Sequence, residues 1–247
     1  MQTEKWGRSP KFHLRADAIA PVIRQWPQGT FLEVGAGTGE MTQRFLQAGH
    51  RGILYDLGDD TRAALRVRFA DNPCVTVVDS LDDIADASVD YLIAFEVLEH
   101  IVDDRGALAS WTRKLKPDGR LLATVPAHQR KFGPGDHRVG HVRRYERAQL
   151  RELAQSCGFD RVNIQCYGFP LGNIGRIVGD WLEGGTAPST SDSVERSIDS
   201  GTQQSATVVR LSRFMRPWML WPFFVLQRAT FGADVGDGYV LHAQWRG

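Results

Sequence analysis

Short apolar runs alternate with segments of helical periodicity along most of the chain. Seven runs have the length and composition of strands: residues 31–34, 52–55, 75–78, 89–95, 120–125, 161–167 and 238–245. Apolar side chains recur at helical spacing in residues 11–26, 41–46, 60–69, 103–115 and 145–157. A turn is predicted at 116–119 and a polar loop over 128–144. Because strands and helices alternate, the pattern predicts an α/β fold, a parallel sheet with helices on both faces.

Three glycines at alternate positions follow the first predicted strand and precede a helix. They are Gly35, Gly37 and Gly39, and Glu33 stands two residues before the first of them. Glycines let the backbone turn sharply and let a ligand approach it closely, although many such turns are only tight turns. The spacing G-x-G-x-G differs from the G-x-G-x-x-G of dinucleotide folds, and no Walker lysine pattern for a triphosphate is present.

Polar side chains stand at the carboxyl ends of several predicted strands, which in a parallel sheet meet at one ligand-binding edge. Asp56 ends the second strand, where a carboxylate can accept both hydroxyls of a ribose; its alternative role is to cap the next helix. Asp79 ends the third strand directly and is preferred to the loop residues Asp82 and Asp83. The fourth strand leads into residues 96–100, which read Glu-Val-Leu-Glu-His.

Composition limits the classes of protein to consider. At 247 residues and 42% hydrophobic content, the chain can bury one core, so we expect a single domain over 1–247. A net charge of +1 provides no global field for nucleic acid. Three irregularly spaced cysteines indicate thiols in a reducing compartment. No signal peptide or membrane-spanning run is visible, so a cytoplasmic location is expected.

The glycine turn, the acidic strand ends and the residues 140–145, Gly-His-Val-Arg-Arg-Tyr, together resemble a known family. They resemble class I S-adenosylmethionine (SAM) dependent methyltransferases of the ubiquinone-biosynthesis O-methyltransferase type, over roughly residues 30–165 and the final ten. The resemblance implies a Rossmann-like, seven-stranded, mostly parallel sheet whose last strand is antiparallel. It implies an N-terminal cover helix within 1–28. The residues implied to bind SAM are Glu33, Gly35, Ala36, Gly37, Gly39, Asp56, Leu57, Asp79, Ser80 and Phe95.

The resemblance also implies methyl transfer to a small molecule, and we expect the acceptor to be a hydroxyl. His100, His141 and Glu96 are the expected catalytic residues, because a hydroxyl acceptor benefits from losing its proton to a histidine or to a metal. The E-x-x-E-H motif of the ubiquinone-type enzymes, and of small-RNA 3′-end 2′-O-methyltransferases, binds a divalent metal with a further histidine. The implied ligands for magnesium, manganese or zinc are Glu96, Glu99, His100 and His141, with His137 as second choice for the last.

Several alternatives stay open from the sequence. His100 can be a plain general base, or Glu99 and His100 can simply brace the next helix. Arg143 and Arg144 can hold an acidic substrate or belong to a solvated loop. The acceptor can instead be RNA or protein, or an intermediate methylated on nitrogen or carbon; a SAM-fold protein that binds without catalysis is a further class. The absence of a basic run argues against nucleic acid.

Residues 170–232 lie outside the resemblance and are interpreted as an insertion before the last strand. Residues 184–206 are rich in serine, threonine and glycine and are predicted to be flexible. Residues 214–231 are dense in aromatic side chains but contain Pro217 and Pro222, which argue against one straight helix. We expect this segment to wall an apolar acceptor pocket or, through 210–231, to contact a membrane surface peripherally. The sequence does not determine the oligomeric state.

Overall fold

A mixed seven-stranded sheet forms the centre of the molecule in the computed structural model, which describes residues 10–183 and 217–247. The strands are β1 (Thr30–Val34), β2 (Arg51–Tyr55), β3 (Val75–Val77), β4 (Val89–Phe95), β5 (Leu115–Pro126), β6 (Phe159–Tyr167) and β7 (Gly238–Trp245). Their spatial order is β3-β2-β1-β4-β5-β7-β6, in which β7 runs antiparallel to both its neighbours and the other neighbours pair in parallel. The predicted fold class is confirmed.

Eight α-helices are described and flank the sheet. They are α1 (Pro10–Gln25), α2 (Thr42–Gln47), α3 (Asp59–Arg68), α4 (Asp104–Thr112), α5 (Pro134–Val139), α6 (Arg147–Ser156), α7 (Leu171–Glu183) and α8 (Trp221–Ala229). Successive strand residues alternate between two buried clusters: Leu32 joins side chains of α4 and α6, and Phe31 joins those of α1, α2 and α3. Because both faces of the central strands are covered, these strands are almost uniformly apolar.

The structure corrects two local predictions and adds a helix to a third region. The predicted turn at 116–119 is a bulge within β5: Val89 pairs with Leu115 and Tyr91 with Arg120, so an extra loop of chain is accommodated, with Asp118 at φ +62°. The predicted loop 128–144 contains the short helix α5. The first part of the insertion 170–232 is the helix α7, whose apolar side chains recur at helical spacing.

Helix α1 is the described part of the predicted cover 1–28, and it packs against α7 and α8. The buried Gln227 of α8 donates through Nε2 to the carbonyl of Leu14 at 3.1 Å and to Asp17 Oδ2 at 2.8 Å. Residues 1–9 and the predicted flexible loop 184–206 lie outside the described residues. None of the described helices is long and apolar enough to cross a membrane.

Candidate active site

The glycine turn leaves β1 in a conformation that side chains other than glycine rarely adopt. Gly35, Gly37 and Gly39 have φ values of +72°, +52° and +73°. A Cβ on Gly35 would lie 2.5 Å from Val97 Cγ2, and a Cβ on Gly39 would lie 2.6 Å from the ring of Phe69. The alternating glycines are therefore required by the backbone path and by close neighbours. The backbone of this turn, Ala36 included, lies at the carboxyl edge of the sheet.

Asp56 ties the glycine turn to the next strand. Its Oδ2 accepts from the backbone N–H of Gly37 at 2.9 Å, and its Oδ1 accepts from that of Gly58 at 3.2 Å. Gly58 is the N-cap residue of α3, so Asp56 orders the start of that helix as well as the turn. The carboxylate of Asp56 therefore orders the start of α3, as expected of a helix cap, and also lies at the glycine turn, as expected of a ligand-binding residue.

Glu33 is buried beneath the turn, 2% exposed, and accepts a hydrogen bond from Thr42 Oγ1 at 2.6 Å. Burial raises the pKa of Glu33 to about 7, because the charged form loses its hydration; the bond from Thr42 and the charge of Arg15 oppose the rise. The pKa of this acid therefore lies near neutral pH, and a cation beside it would favour the charged form.

Asp79 and Ser80 lie beyond the end of β3. Asp79 is exposed and pairs with Arg66 at 2.7 Å and Arg62 at 3.3 Å, and the hydrogen bond from Arg66 lowers its pKa. Ser80 Oγ accepts from the N–H of Asp82 at 3.1 Å and caps a short 3₁₀ helix. Arg62, which was not predicted, is a buried arginine that also donates to the carbonyls of residues 56 and 57 and so joins the ends of β2 and β3.

Two apolar side chains complete the set implied to bind SAM. Leu57 follows Asp56 with 58% of its surface exposed, on the open side of the sheet edge. Phe95 ends β4 and is buried, and the guanidinium carbon of Arg15 lies 5.9 Å from its ring centre. Arg15 comes from α1 and its Nε has no hydrogen-bond partner among the described residues. It was not predicted, because nothing in its local sequence distinguishes it from a surface arginine.

Glu96 has a positive φ of +57°, and its carboxylate turns toward α1. It accepts from Lys11 Nζ at 2.7 Å and from Thr124 Oγ1 at 3.1 Å, and Arg15 lies 3.8 Å away. Burial alone would raise the pKa of Glu96, but the charges of Lys11 and Arg15 outweigh it and hold the pKa well below its usual range.

Glu99, His100 and His141 converge just beyond β4. One ligand atom from each lies within 4.8 Å of the others, and the two imidazole ring centres are 4.7 Å apart. Both carboxylate oxygens of Glu99 are buried with no hydrogen-bond partner among the described residues. Glu96, predicted as a fourth ligand, is not part of this group within the described chain, because its carboxylate is held by Lys11.

The electrostatics of this cluster favour a cation. Burial and the nearby charge of Glu96 raise the pKa of Glu99 well above its usual range. Burial and the neighbouring His141 lower the pKa of His100 to about 4, so its imidazole is neutral at pH 7. A buried acid without donors beside the neutral imidazole of His100 is well suited to a divalent ion, which takes carboxylate oxygen and imidazole nitrogen as ligands. The residues present therefore fit a metal.

The remaining predicted polar residues of the 128–144 stretch are already paired. Arg143 donates to Asp104 Oδ2 at 2.7 Å, and Arg144 contacts Asp136 at 2.9 Å. His137, the second choice for the distal ligand, is exposed on α5 and its ring packs edge-on against Phe132, outside the cluster. An acidic substrate held by Arg143 and Arg144, as predicted, would therefore compete with the carboxylates of Asp104 and Asp136 that they already bind.

Comparisons with known proteins agree with this geometry. Residues 32–123 match a family model described as a methyltransferase domain. A probable SAM-dependent methyltransferase of Mycolicibacterium smegmatis is 32% identical over 52% of this chain and 51% of its own length. Ribosomal RNA small subunit methyltransferase A of a Synechococcus strain is 26% identical over 56% of this chain and 52% of its own length. The chain thus spans about half the length of the curated relatives it matches.

A solved structure shares the overall architecture. Phosphoethanolamine N-methyltransferase 2 of Haemonchus contortus, in complex with phosphomonomethylethanolamine and S-adenosylhomocysteine, superposes with a TM-score of 0.59 at 19% identity. The superposition covers 94% of this chain and 52% of that one. The sheet order, the glycine turn and the acidic strand ends define the class I methyltransferase fold. Residues 32–123 are thus similar to a methyltransferase domain, and the partial relative named above is a probable SAM-dependent methyltransferase.

Proposed function

We propose that the protein transfers a methyl group from SAM to a hydroxyl of a small molecule, as in the ubiquinone-biosynthesis type, with a divalent cation held by Glu99, His100 and His141. The observation that carries the proposal is the buried carboxylate of Glu99, which has no hydrogen-bond donor among the described residues and faces two imidazoles. Oxygen chemistry is favoured because a cation at this position activates a hydroxyl by lowering its pKa.

The residues that would hold SAM lie on β1, β2 and β3. SAM supplies a methyl group already activated by a sulfonium, so the protein contributes mainly alignment of the two reactants. The open backbone of the glycine turn, the carboxylate of Asp56 and the charge of Glu33 suit the nucleoside and the ammonium of this ligand. Arg15 adds a buried donor without a partner among the described residues, which suits the carboxylate of the methionine part.

A metal-free version of the same function uses His100 as a general base. Its pKa of about 4 keeps the imidazole neutral at pH 7 but makes it a weak base. The same neutrality makes it a good ligand, since a metal binds the unprotonated ring. The low pKa therefore supports the metal-assisted version over the general-base version.

The names of the similar proteins suggest two other classes of methyl acceptor, RNA and amines. One matched relative acts on ribosomal RNA, and the superposed structure is an N-methyltransferase. Against RNA stand the net charge of +1 and the pairing of Arg143 and Arg144 with buried or half-buried acids. Against a nitrogen acceptor stands the candidate metal cluster, because an amine with a free lone pair has less need of a cation.

The test is a turnover screen with small hydroxylated acceptors, catechols and other phenols among them, alongside amines and RNA. Each acceptor is run with SAM in protein treated with a chelator and in the same protein resupplied with Mn²⁺, Mg²⁺ or Zn²⁺. The proposal expects methylated hydroxyl product that chelation abolishes and a divalent ion restores. Turnover confined to amines or RNA would overturn it, and full turnover after chelation would leave only the general-base version.

We also propose a peripheral membrane contact by a cytoplasmic protein. Its support is an exposed apolar stripe on α7, namely Ile174, Ile177, Val178 and Trp181, and a second on α8 with Trp221, Val225 and Leu226. Phe223 and Phe224 are partly buried against the cluster that contains the side chains of α1, so α8 has one packed face and one exposed face. Exposed tryptophan beside aliphatic side chains is typical of an interfacial surface. The side chain of Trp218 lies outside the described residues.

A further inference from the structure

Asp136 stands behind His141 on the side away from the cluster. His141 Nδ1 lies 2.7 Å from Asp136 Oδ1, whereas His141 Nε2 lies 3.7 Å from Glu99 Oε1. The backbone strengthens the pairing, because the N–H of His141 donates to the carbonyl of Asp136 at 2.9 Å. One ring nitrogen is therefore held by Asp136 and the other is directed to Glu99. The position of the ring proton decides whether Nε2 can offer a lone pair.

The carboxylate of Asp136 is surrounded by hydrogen-bond donors, so it acts as an acceptor. Arg144 Nε lies 2.9 Å from both of its oxygens, and the N–H of Gly133 donates to Oδ2 at 2.9 Å. A carboxylate paired with an arginine accepts hydrogen bonds and donates none. The 2.7 Å contact then requires a proton on Nδ1 of His141, because two acceptors would repel each other at that distance.

Arg144 itself is anchored from a second direction. It is buried, 6% exposed, and its Nη1 lies 3.3 Å from Asp237 Oδ1. Asp237 in turn accepts from Arg176 of α7 at 3.0 Å. This chain of alternating charges gives the guanidinium a fixed position, so Asp136 cannot rotate away from His141 without breaking both Arg144 contacts. A second carboxylate behind a histidine is the usual way to orient a ring toward a metal.

We propose that Asp136 is a positioning residue that fixes His141 in the tautomer with its proton on Nδ1, leaving the Nε2 lone pair directed to the space shared with Glu99 and His100. What Nε2 binds there rests on the proposed function. The tautomer itself is a property of the metal-free protein. Asp136 was not predicted beside His141, because the pairing depends on the turn at Gly140, which ends α5 and brings the N–H of His141 to the carbonyl of Asp136.

The test is the nitrogen spectrum of the histidine rings in ¹⁵N-histidine-labelled, chelator-treated protein at about pH 8. The chain has seven histidines, and His141→Gln assigns the signal of interest. The expected result is a protonated Nδ1 and an unprotonated Nε2. In Asp136→Asn the amide can present its NH₂ group to the ring, so the proton is expected to move to Nε2. A wild-type ring protonated on Nε2, or a ring unchanged in Asp136→Asn, would overturn the proposal.

A binding measurement separates this inference from the proposed function. Asp136→Asn is expected to weaken Mn²⁺ binding by roughly 10- to 100-fold and to leave SAM affinity unchanged. The control is Asp234→Asn, which removes a carboxylate that pairs with Arg147 at 2.7 Å and touches neither ring of the cluster. If Asp136→Asn fails to fold, the wild-type tautomer still decides the matter. A wild-type protein with the expected tautomer and no Mn²⁺ binding would overturn the metal and support the positioning role.

Discussion

The two halves of the candidate site treat their carboxylates in opposite ways. On the β1–β3 side, Asp56 accepts two backbone N–H groups and Asp79 pairs with two arginines. Beyond β4, Glu99 is fully buried and has no donor among the described residues. Because burial and the charge of Glu96 raise the pKa of Glu99, this acid favours its neutral form, and a cation beside it would favour the charged form. This difference between hydrogen-bonded and unpaired carboxylates is the basis of the proposed cation site beside the proposed cofactor edge.

The largest effect is expected at the half of the site that is proposed to hold the cation. Glu99→Gln keeps the shape of the side chain but removes the negative charge, so we expect turnover to fall at least about 100-fold with little change in SAM affinity. The measurement is kcat under saturating SAM, compared with SAM affinity by calorimetry. Glu152→Gln, an exposed position on α6, is the matched control. Equal turnover in Glu99→Gln and the control would remove Glu99 from the mechanism.

The raised pKa of Glu33, in the proposed cofactor half of the site, predicts that the stability of the protein depends on pH. Its pKa is raised from 4.5 to about 7 in the folded protein, so its stabilising contribution is full below pH 4.5 and is lost as pH rises through 7. Between pH 5 and 8, the free energy of unfolding of the wild type should fall by about 2.5 kcal/mol relative to Glu33→Gln. Urea unfolding of both proteins, without SAM, measures it. A pH-independent difference between them would contradict the raised pKa.

Asp56 tests the proposed cofactor half of the site, where the carboxylates are already hydrogen-bonded. Asp56→Ala removes the acceptor of Gly37 and the proposed ribose contact, so SAM affinity should fall by about 2 kcal/mol, or roughly 30-fold. Mn²⁺ affinity should be unchanged, because Asp56 is not a member of the described cluster. Calorimetry with each ligand checks both statements. Unchanged SAM affinity would show that this strand end does not bind the cofactor.

The smallest effect is expected at the apolar surface of α7 and α8. Trp221→Ala should lower partition onto anionic vesicles by roughly five-fold, because a side chain with 65% of its surface exposed loses its interfacial contact. Val67→Ala on α3, 79% exposed, is the control. Vesicle co-sedimentation at low and high salt is the measurement. If the wild type does not bind vesicles and Trp221→Ala leaves the KM for the acceptor unchanged, this surface neither contacts a membrane nor lines the acceptor pocket.

The positions of the strands and the glycine turn could be predicted because they follow from short-range patterns, whereas the antiparallel last strand was implied only by the resemblance. Apolar runs of strand length, separated by helices, specify the sheet, and φ above zero at Gly35 and Gly39 requires residues without a Cβ. The partner of Glu96 could not be predicted in this way. Lys11 lies 85 residues away in sequence, and only the packing of α1 across the sheet edge brings the two together. The same limit applies to α7, whose composition suggested only an insertion.

The cluster of Glu99, His100 and His141 could be predicted only in part from the sequence. The motif at 96–100 placed Glu99 and His100 within one turn, and the histidine at 141 could be assigned only through the resemblance. What the motif did not contain is the direction of each side chain. Glu96 and Glu99 differ because a positive φ turns the first toward α1, while the 3₁₀ turn that follows directs the second inward.

Mn²⁺ binding followed by electron paramagnetic resonance tests the central claim most directly. The chelator-treated wild type, Glu99→Gln and Glu96→Gln are titrated with Mn²⁺ in the presence of S-adenosylhomocysteine, and the signal of free Mn²⁺ is recorded. The account predicts one site in the wild type, loss of that site in Glu99→Gln, and binding close to the wild type in Glu96→Gln, whose carboxylate pairs with Lys11. Undiminished binding in Glu99→Gln, or no binding in the wild type, would contradict it.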